Sequence, residues 1–150
     1  MKERLNYAQV SPDAIKAMRE LEKYVAASGL ERPLYELVKT RASQINGCAY
    51  CLDMHTKDAR EAGETEQRLY ALSAWRKTPF FTGRERAALE WTETLTLISE
   101  NEVPDSLFDH VRNHFDEKEM VALSIAIIAI NGWNRLAIGF GTVPGSYKPQ

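Results

Sequence analysis

The chain has 150 residues, 44 % hydrophobic and 27 % charged, a soluble globular composition that excludes disordered, collagen-like and coiled-coil fibre classes. That length is enough for one domain whose core buries about 70 % of the unfolded surface. Nineteen basic residues against 21 acidic ones leave a formal net charge of −2, with no Lys/Arg-rich run, which argues against an electrostatic nucleic-acid binder.

The opening segment, MKERLNYAQVSPDA, lacks the apolar stretch of a secretory signal, so a cytoplasmic location is expected. Ser11 and Pro12 read as the N-cap and first residue of a helix whose apolar positions Ala14, Met18, Leu21 and Val25 recur until Gly29. Pro33 opens a second helix with the stripe Leu34, Val38, Ala42 and Ile45, broken at Asn46-Gly47. A third should begin near Gly47 or Cys48 and run to Gly63; a fourth carries Leu69, Leu72 and Trp75 up to Pro79. Thr82 with Glu85 is a capping box that starts the stripe Ala88, Trp91, Leu95 and Ile98, ending near Asn101. Leu107, Phe108, Val111 and Phe115 mark a short helix after Pro104. Asp116 with Glu119 caps the last and most apolar helix, Glu117 to about Phe140, and the tail GTVPGSYKPQ reads as coil. No strand pattern competes, so the prediction is an all-α, single-domain bundle of about six to seven helices.

The most apolar run, 120–130, is 11 residues long and is followed by Asn131, Asn134 and Arg135; it falls short of the roughly 20 residues of a membrane span and reads as core. Several apolar faces exceed what one small bundle covers, which predicts self-association.

The chain's two cysteines, Cys48 and Cys51, exclude a disulfide framework. With His55 they fall at i, i+3 and i+7, on one face of the third helix, a face that continues through Ala59 and Ala62. Spacing alone admits thiol redox chemistry, plain packing or metal ligation. Redox chemistry is favoured on three grounds. The first turn of a helix stabilises a thiolate, most of all at Cys48. His55 stands one turn beyond Cys51, where it can take or relay a proton. Two cysteines three residues apart supply their own resolving partner for a sulfenic acid. A metal reading would use Cys48, Cys51 and His55 with Glu36 or another histidine as the fourth ligand, but closed zinc sites draw a second ligand pair from a distant segment, and none is evident; no metal is expected.

Glu36, Cys48, Cys51 and His55 form the signature E-x11-C-x2-C-x3-H. Together with the surrounding ELVKTRASQINGCAYCLDMHTKDAREAG and SIAIIAINGWNRLAIGF, the chain resembles the alkylhydroperoxidase D-like proteins of the carboxymuconolactone decarboxylase superfamily over nearly its whole length. The resemblance implies a thiol-dependent peroxidase for organic hydroperoxides in antioxidant defence, in which Cys51 attacks peroxide and Cys48 resolves the sulfenic acid. It also implies that Glu36 and His55 relay the proton. The helix terminus favours Cys48 as the more acidic thiol, but the position of the base decides for Cys51. The sequence departs from the family's pattern at Tyr50, where better-studied members have a histidine. No bound cofactor is implied; a dihydrolipoamide-bearing or thioredoxin-like dithiol would supply electrons, and dimers, trimers or hexamers are the expected assemblies. Alternatives are a carboxymuconolactone-type decarboxylase, whose chemistry has no need of a Cys-x-x-Cys pair, and a non-enzymatic redox-sensing oligomer.

Glu36 lies opposite the Leu34/Val38/Ile45 stripe, on a face shared with Lys39, Thr40 and Ser43, and acts only if that face lines the crevice against the third helix. His110 and His114 read as a surface pair, Trp75 and Trp91 as core. Asn131, Trp133, Asn134 and Arg135 read as buried hydrogen bonding or a subunit contact, with a pairing of Arg135 to Glu36 or another acid in the site as the alternative.

Overall fold

A computed structural model describes residues 2–149, and every regular element among them is helical. In chain order these are α1 (Tyr7–Val10), α2 (Pro12–Ala27), α3 (Arg32–Asn46), α4 (Ala49–Glu61), α5 (Glu66–Ala71), a 3-10 segment (Leu72–Lys77), α6 (Gly83–Thr96), α7 (Asp105–Arg112) and α8 (Glu117–Phe140). The predicted all-α class holds, with two elements more than the predicted six to seven. One is α1, a single turn capped by the Asn6 side chain, too short for periodicity to reveal. The other arises because the fourth helix changes to 3-10 geometry at Leu72, where i and i+3 side chains eclipse and Leu72 and Trp75 enter the core together.

Helix α3 is the central strut. Leu34 and Val38 pack with Trp91, Phe115, Leu123 and Ile127; Leu37 packs with Leu69, Leu72, Trp75 and Phe81; Ala42 packs with Cys48, Cys51, Ile130 and Ala137. Gly47 ends α3 in the left-handed conformation (φ 67°), which glycine adopts without a Cβ penalty, and Cys48 then caps α4. This tight joint sets α4 directly against α3.

Both predicted capping boxes, Thr82/Glu85 and Asp116/Glu119, are formed. Ser11 precedes α2 as expected but makes no side-chain cap bond. Helix α6 ends at Thr96, before the predicted Asn101, because Ile98 is exposed and has no core to meet; Phe115 is buried beyond the end of α7.

Helix α8 carries the most apolar sequence. Taken whole it is long and apolar enough to suit a bilayer by length and composition, a wider reach than the 11-residue run suggested. Here it packs against α2, α3, α4, α6 and α7. Its polar interruption is spent inside the protein: Asn46 donates to the Oδ1 atoms of Asn131 (2.9 Å) and Asn134 (2.8 Å), Asn131 donates to Thr96 Oγ1 (3.0 Å), and Asn134 donates to Ser43 Oγ (3.0 Å). Arg135 is exposed and bonds to Asn131, so the alternative pairing with Glu36 is overturned. The arginine points to the outer side of α8, where the Asn131 carbonyl one turn back captures it.

A second polar clamp sits across the bundle. Glu93 of α6 accepts from Arg41 (2.8 Å), Trp75 Nε1 (2.8 Å) and Arg76. Burial opposes its charge, but the hydrogen bonds from Arg76, Trp75 and Arg41 outweigh it and hold the carboxyl below the ordinary glutamate range.

Asn134→Ala should lower unfolding stability by roughly 2 kcal/mol, measured by urea denaturation, because it leaves buried Ser43 and half-buried Asn46 short of a partner. Because the folded value of Glu93 is depressed, its stabilisation is complete above the ordinary glutamate range and is lost as pH falls through the folded value. Glu93→Gln should therefore reduce stability at neutral pH and flatten the acid limb of the urea midpoint against pH.

Candidate active site

Cys48 caps α4 and Cys51 lies in its first turn. They are joined as a Cys48–Cys51 disulfide with a Cα–Cα distance of 5.3 Å, and the Cys51 N–H points at Cys48 Sγ (3.3 Å) as an N-cap contact. His55 follows Cys51 by one turn and is 97 % buried, being only 3 % exposed. Its Nδ1 lies 3.0 Å from Glu36 Oε2. The condition set on Glu36 is met: Glu36, Lys39, Thr40 and Ser43 are all buried, so the polar face of α3 lines the crevice against α4. The structure thus brings together all four residues of the signature.

The hydrogen-bond pattern assigns the imidazole's tautomer. A carboxylate only accepts, so Nδ1 carries the hydrogen toward Glu36, and in the neutral imidazole Nε2 is then the acceptor. Nε2 is buried and has no partner among the described residues.

Cys51 and His55 face a cavity of about 370 Å³. Helix α2 contributes Ile15, Arg19 and Glu22, α3 contributes Lys39, and α8 contributes Trp133 and Ala137; Tyr7, Tyr50 and Met54 add apolar and aromatic wall. Tyr50, at the position of the family's histidine, is half-buried. Burial first, then the nearby Tyr7 and Asp53, push its phenol above the ordinary range, so it stays a neutral hydroxyl.

The C-terminal tail closes one side of α4. Gly145 N–H donates to Asp53 Oδ2 (3.0 Å), Lys57 donates to the Tyr147 carbonyl (3.1 Å), and the Tyr147 hydroxyl donates to Asp58 Oδ1 (2.7 Å). Asp58 in turn completes a cluster with Glu36 and His55, whose ligand-type atoms lie within 4.8 Å of one another. These three could approach a divalent cation. The cysteine sulfurs of the metal set considered from sequence are tied up in the disulfide.

Sequence reasoning passed over Glu22, Asp58 and Tyr147 and gave Lys39 no role. Asp58, at i+3 from His55, and Lys39, at i+3 from Glu36, share those residues' helix faces, a signal that was available. Tyr147 left none, because its approach depends on how the coil returns. His110 is exposed and stacks edge-on to half-buried His114, outside this site.

Residues 12–94 match the carboxymuconolactone decarboxylase family. YdfG of Bacillus subtilis (strain 168), itself uncharacterised, is 48 % identical over 141 residues, covering 94 % of this chain and 96 % of that protein. The crystal structure of an Agrobacterium tumefaciens protein of unknown function, a candidate AhpD antioxidant-defence protein, is 47 % identical with a TM-score of 0.93, over 97 % of this chain and 100 % of that one. An uncharacterised peroxidase-related protein from Ralstonia eutropha JMP134, with an alkylhydroperoxidase AhpD core, shares the fold at 21 % identity and a TM-score of 0.81, over 93 % and 74 % of the two chains. The chain belongs to the carboxymuconolactone decarboxylase family, in its alkylhydroperoxidase D-like branch.

The phenol of Tyr147 is pushed well above its ordinary range by burial and by the hydrogen bond to Asp58. Tyr50 and Tyr147 should ionise above the ordinary phenol range in a spectrophotometric alkaline titration of the folded protein, and Tyr147→Phe should remove one of these late steps.

Proposed function

We propose that this protein is a thiol-dependent hydroperoxide reductase that serves antioxidant defence by cycling Cys48 and Cys51 between dithiol and disulfide. The observation that carries the reading is the buried Nε2 of His55, without a partner among the described residues and oriented by Glu36 one turn from Cys51 on the wall of the cavity.

In the reduced protein His55 Nε2 takes the proton of the Cys51 thiol, and the Glu36 carboxylate stabilises the imidazolium that forms. The Cys51 thiolate attacks the terminal oxygen of the hydroperoxide. The O–O bond breaks, Cys51 becomes a sulfenic acid, and the departing alkoxide recovers a proton from the imidazolium to leave as alcohol. The Cys48 thiol then displaces the sulfenic oxygen as water, closing the disulfide. Two thiols and one hydroperoxide thus become one disulfide, one alcohol and one water. An external dithiol, dihydrolipoamide-bearing or thioredoxin-like, returns two electrons by thiol–disulfide exchange. Such a cycle suits the reducing cytoplasm and requires no bound cofactor.

The cavity supports an organic substrate: its walls are largely apolar and aromatic, and its size exceeds what hydrogen peroxide needs. Exposed Val121, Ile128 and Ile138 on the outer side of α8 support self-association, as a dimer, trimer or hexamer.

One equivalent of cumene hydroperoxide added to the reduced protein should consume two thiols in the wild type. A sulfenic acid should be trapped with Cys48→Ser and none with Cys51→Ser. Unreactive thiols in the wild type would overturn the reading. His55→Ala should slow the reaction by about 10²-fold or more, measured by stopped flow.

A further inference from the structure

Lys39 is the buried charge that this mechanism leaves unused. Its side chain is 8 % exposed, yet it lines the same cavity as Cys51 and His55. Its Nζ lies 2.8 Å from Glu22 Oε2 and 3.7 Å from the centre of the Tyr35 ring. An ammonium has three donors, and Glu22 is the one hydrogen-bonding or ionic partner it has among the described residues. Glu22 is itself fixed by Trp133 Nε1 (3.0 Å) and the Tyr35 hydroxyl, so the ammonium is held by a braced carboxylate and a ring face. A buried cation with unspent donors is costly unless something arrives to use them. Lys39 borders open space together with the nucleophile and the base at this cavity.

The chemistry identifies what arrives. When the Cys51 thiolate attacks one oxygen of a hydroperoxide, negative charge builds on the other, which leaves as an alkoxide. His55 is committed to the sulfur's proton at that moment, and an unassisted alkoxide is a poor leaving group. A fixed cationic donor on the wall of the cavity is the arrangement that stabilises such a charge. We infer that Lys39 is a catalytic hydrogen-bond donor of this site, binding the hydroperoxide oxygen that leaves as alkoxide. The ammonium keeps its proton throughout: the O–O electron pair moves onto the leaving oxygen, and the proton that converts alkoxide to alcohol is the one His55 took from Cys51. The inference rests on the hydroperoxide reductase reading.

The test separates leaving-group assistance from thiolate formation and from folding. In the Cys48→Ser background, sulfenic acid formation is followed with cumene hydroperoxide, which expels an alkoxide, and with perbenzoic acid, which expels a stable carboxylate. The ratio of the two rates cancels the thiolate fraction. Lys39→Met should slow the cumene hydroperoxide reaction by about 10²-fold while slowing the perbenzoic acid reaction by less than about 10-fold. The double variant Lys39→Met, Glu22→Gln leaves no unpaired carboxylate and should show the same change of ratio; Lys39→Arg, which retains charge and donors, should recover part of it. Equal slowing with both oxidants, or no change in ratio, would overturn the inference while leaving the reductase reading intact. Failure of the parent protein to react with either oxidant would overturn both.

Discussion

Helix α3 has no solvent-facing side along its middle, and everything at the site depends on that constraint. Its apolar residues enter three separate clusters of the core, and Glu36, Lys39, Thr40 and Ser43 are buried with them. Stranding one charge of a buried pair costs about 3–5 kcal/mol, so the neighbouring helices have to present partners at fixed places. Helix α4 presents His55 to Glu36, α2 presents Glu22 to Lys39, and α8 presents Asn134 to Ser43. Apolar contacts alone tolerate sliding; directional pairs fix the rotation and height of each helix about α3. The crevice between α3 and α4 is therefore a consequence of the core's own polar accounting.

Much of this was legible in the sequence, for local reasons. Caps and stops are written in adjacent residues, which is why Thr82/Glu85, Asp116/Glu119 and Gly47 placed helix ends correctly. The spacing of Cys48, Cys51 and His55 put them on one helix face, and that too is a local property. Whether Glu36 met solvent or His55 was a question of packing between two helices, which periodicity alone left open. Arg135 shows the opposite failure: a charge beside buried asparagines looked like a partner for Glu36, but its place on the helix turns it outward. The 3-10 segment escaped notice because Leu72 and Trp75 satisfy helical spacing equally well in either geometry.

The tail shows how an unpatterned segment acquires a position. Nothing in GTVPGSYKPQ requires regular structure, yet three hydrogen bonds from Gly145 and Tyr147, or received by them, bind it along the outer turns of α4. One of them occupies Asp58, the carboxylate nearest the Glu36 and His55 pair. The turns of α4 around Asp53 and Asp58 are thus held by residues about 90 positions later in the chain, and the environment of the imidazole has contributions from both the tail and α3.

Cys48 caps α4, and this bears on the energetics of electron flow as well as on reactivity. A thiolate formed at that cap interacts with the free N–H groups and the positive end of the helix, by about 0.5–2 kcal/mol in favourable geometries. The disulfide carries no charge and gains nothing comparable. Stabilising the dithiol form in this way raises the reduction potential of the couple, by about 10–40 mV for a two-electron exchange. A helix end that favours a thiolate over a thiol thereby also makes the corresponding disulfide the better electron acceptor.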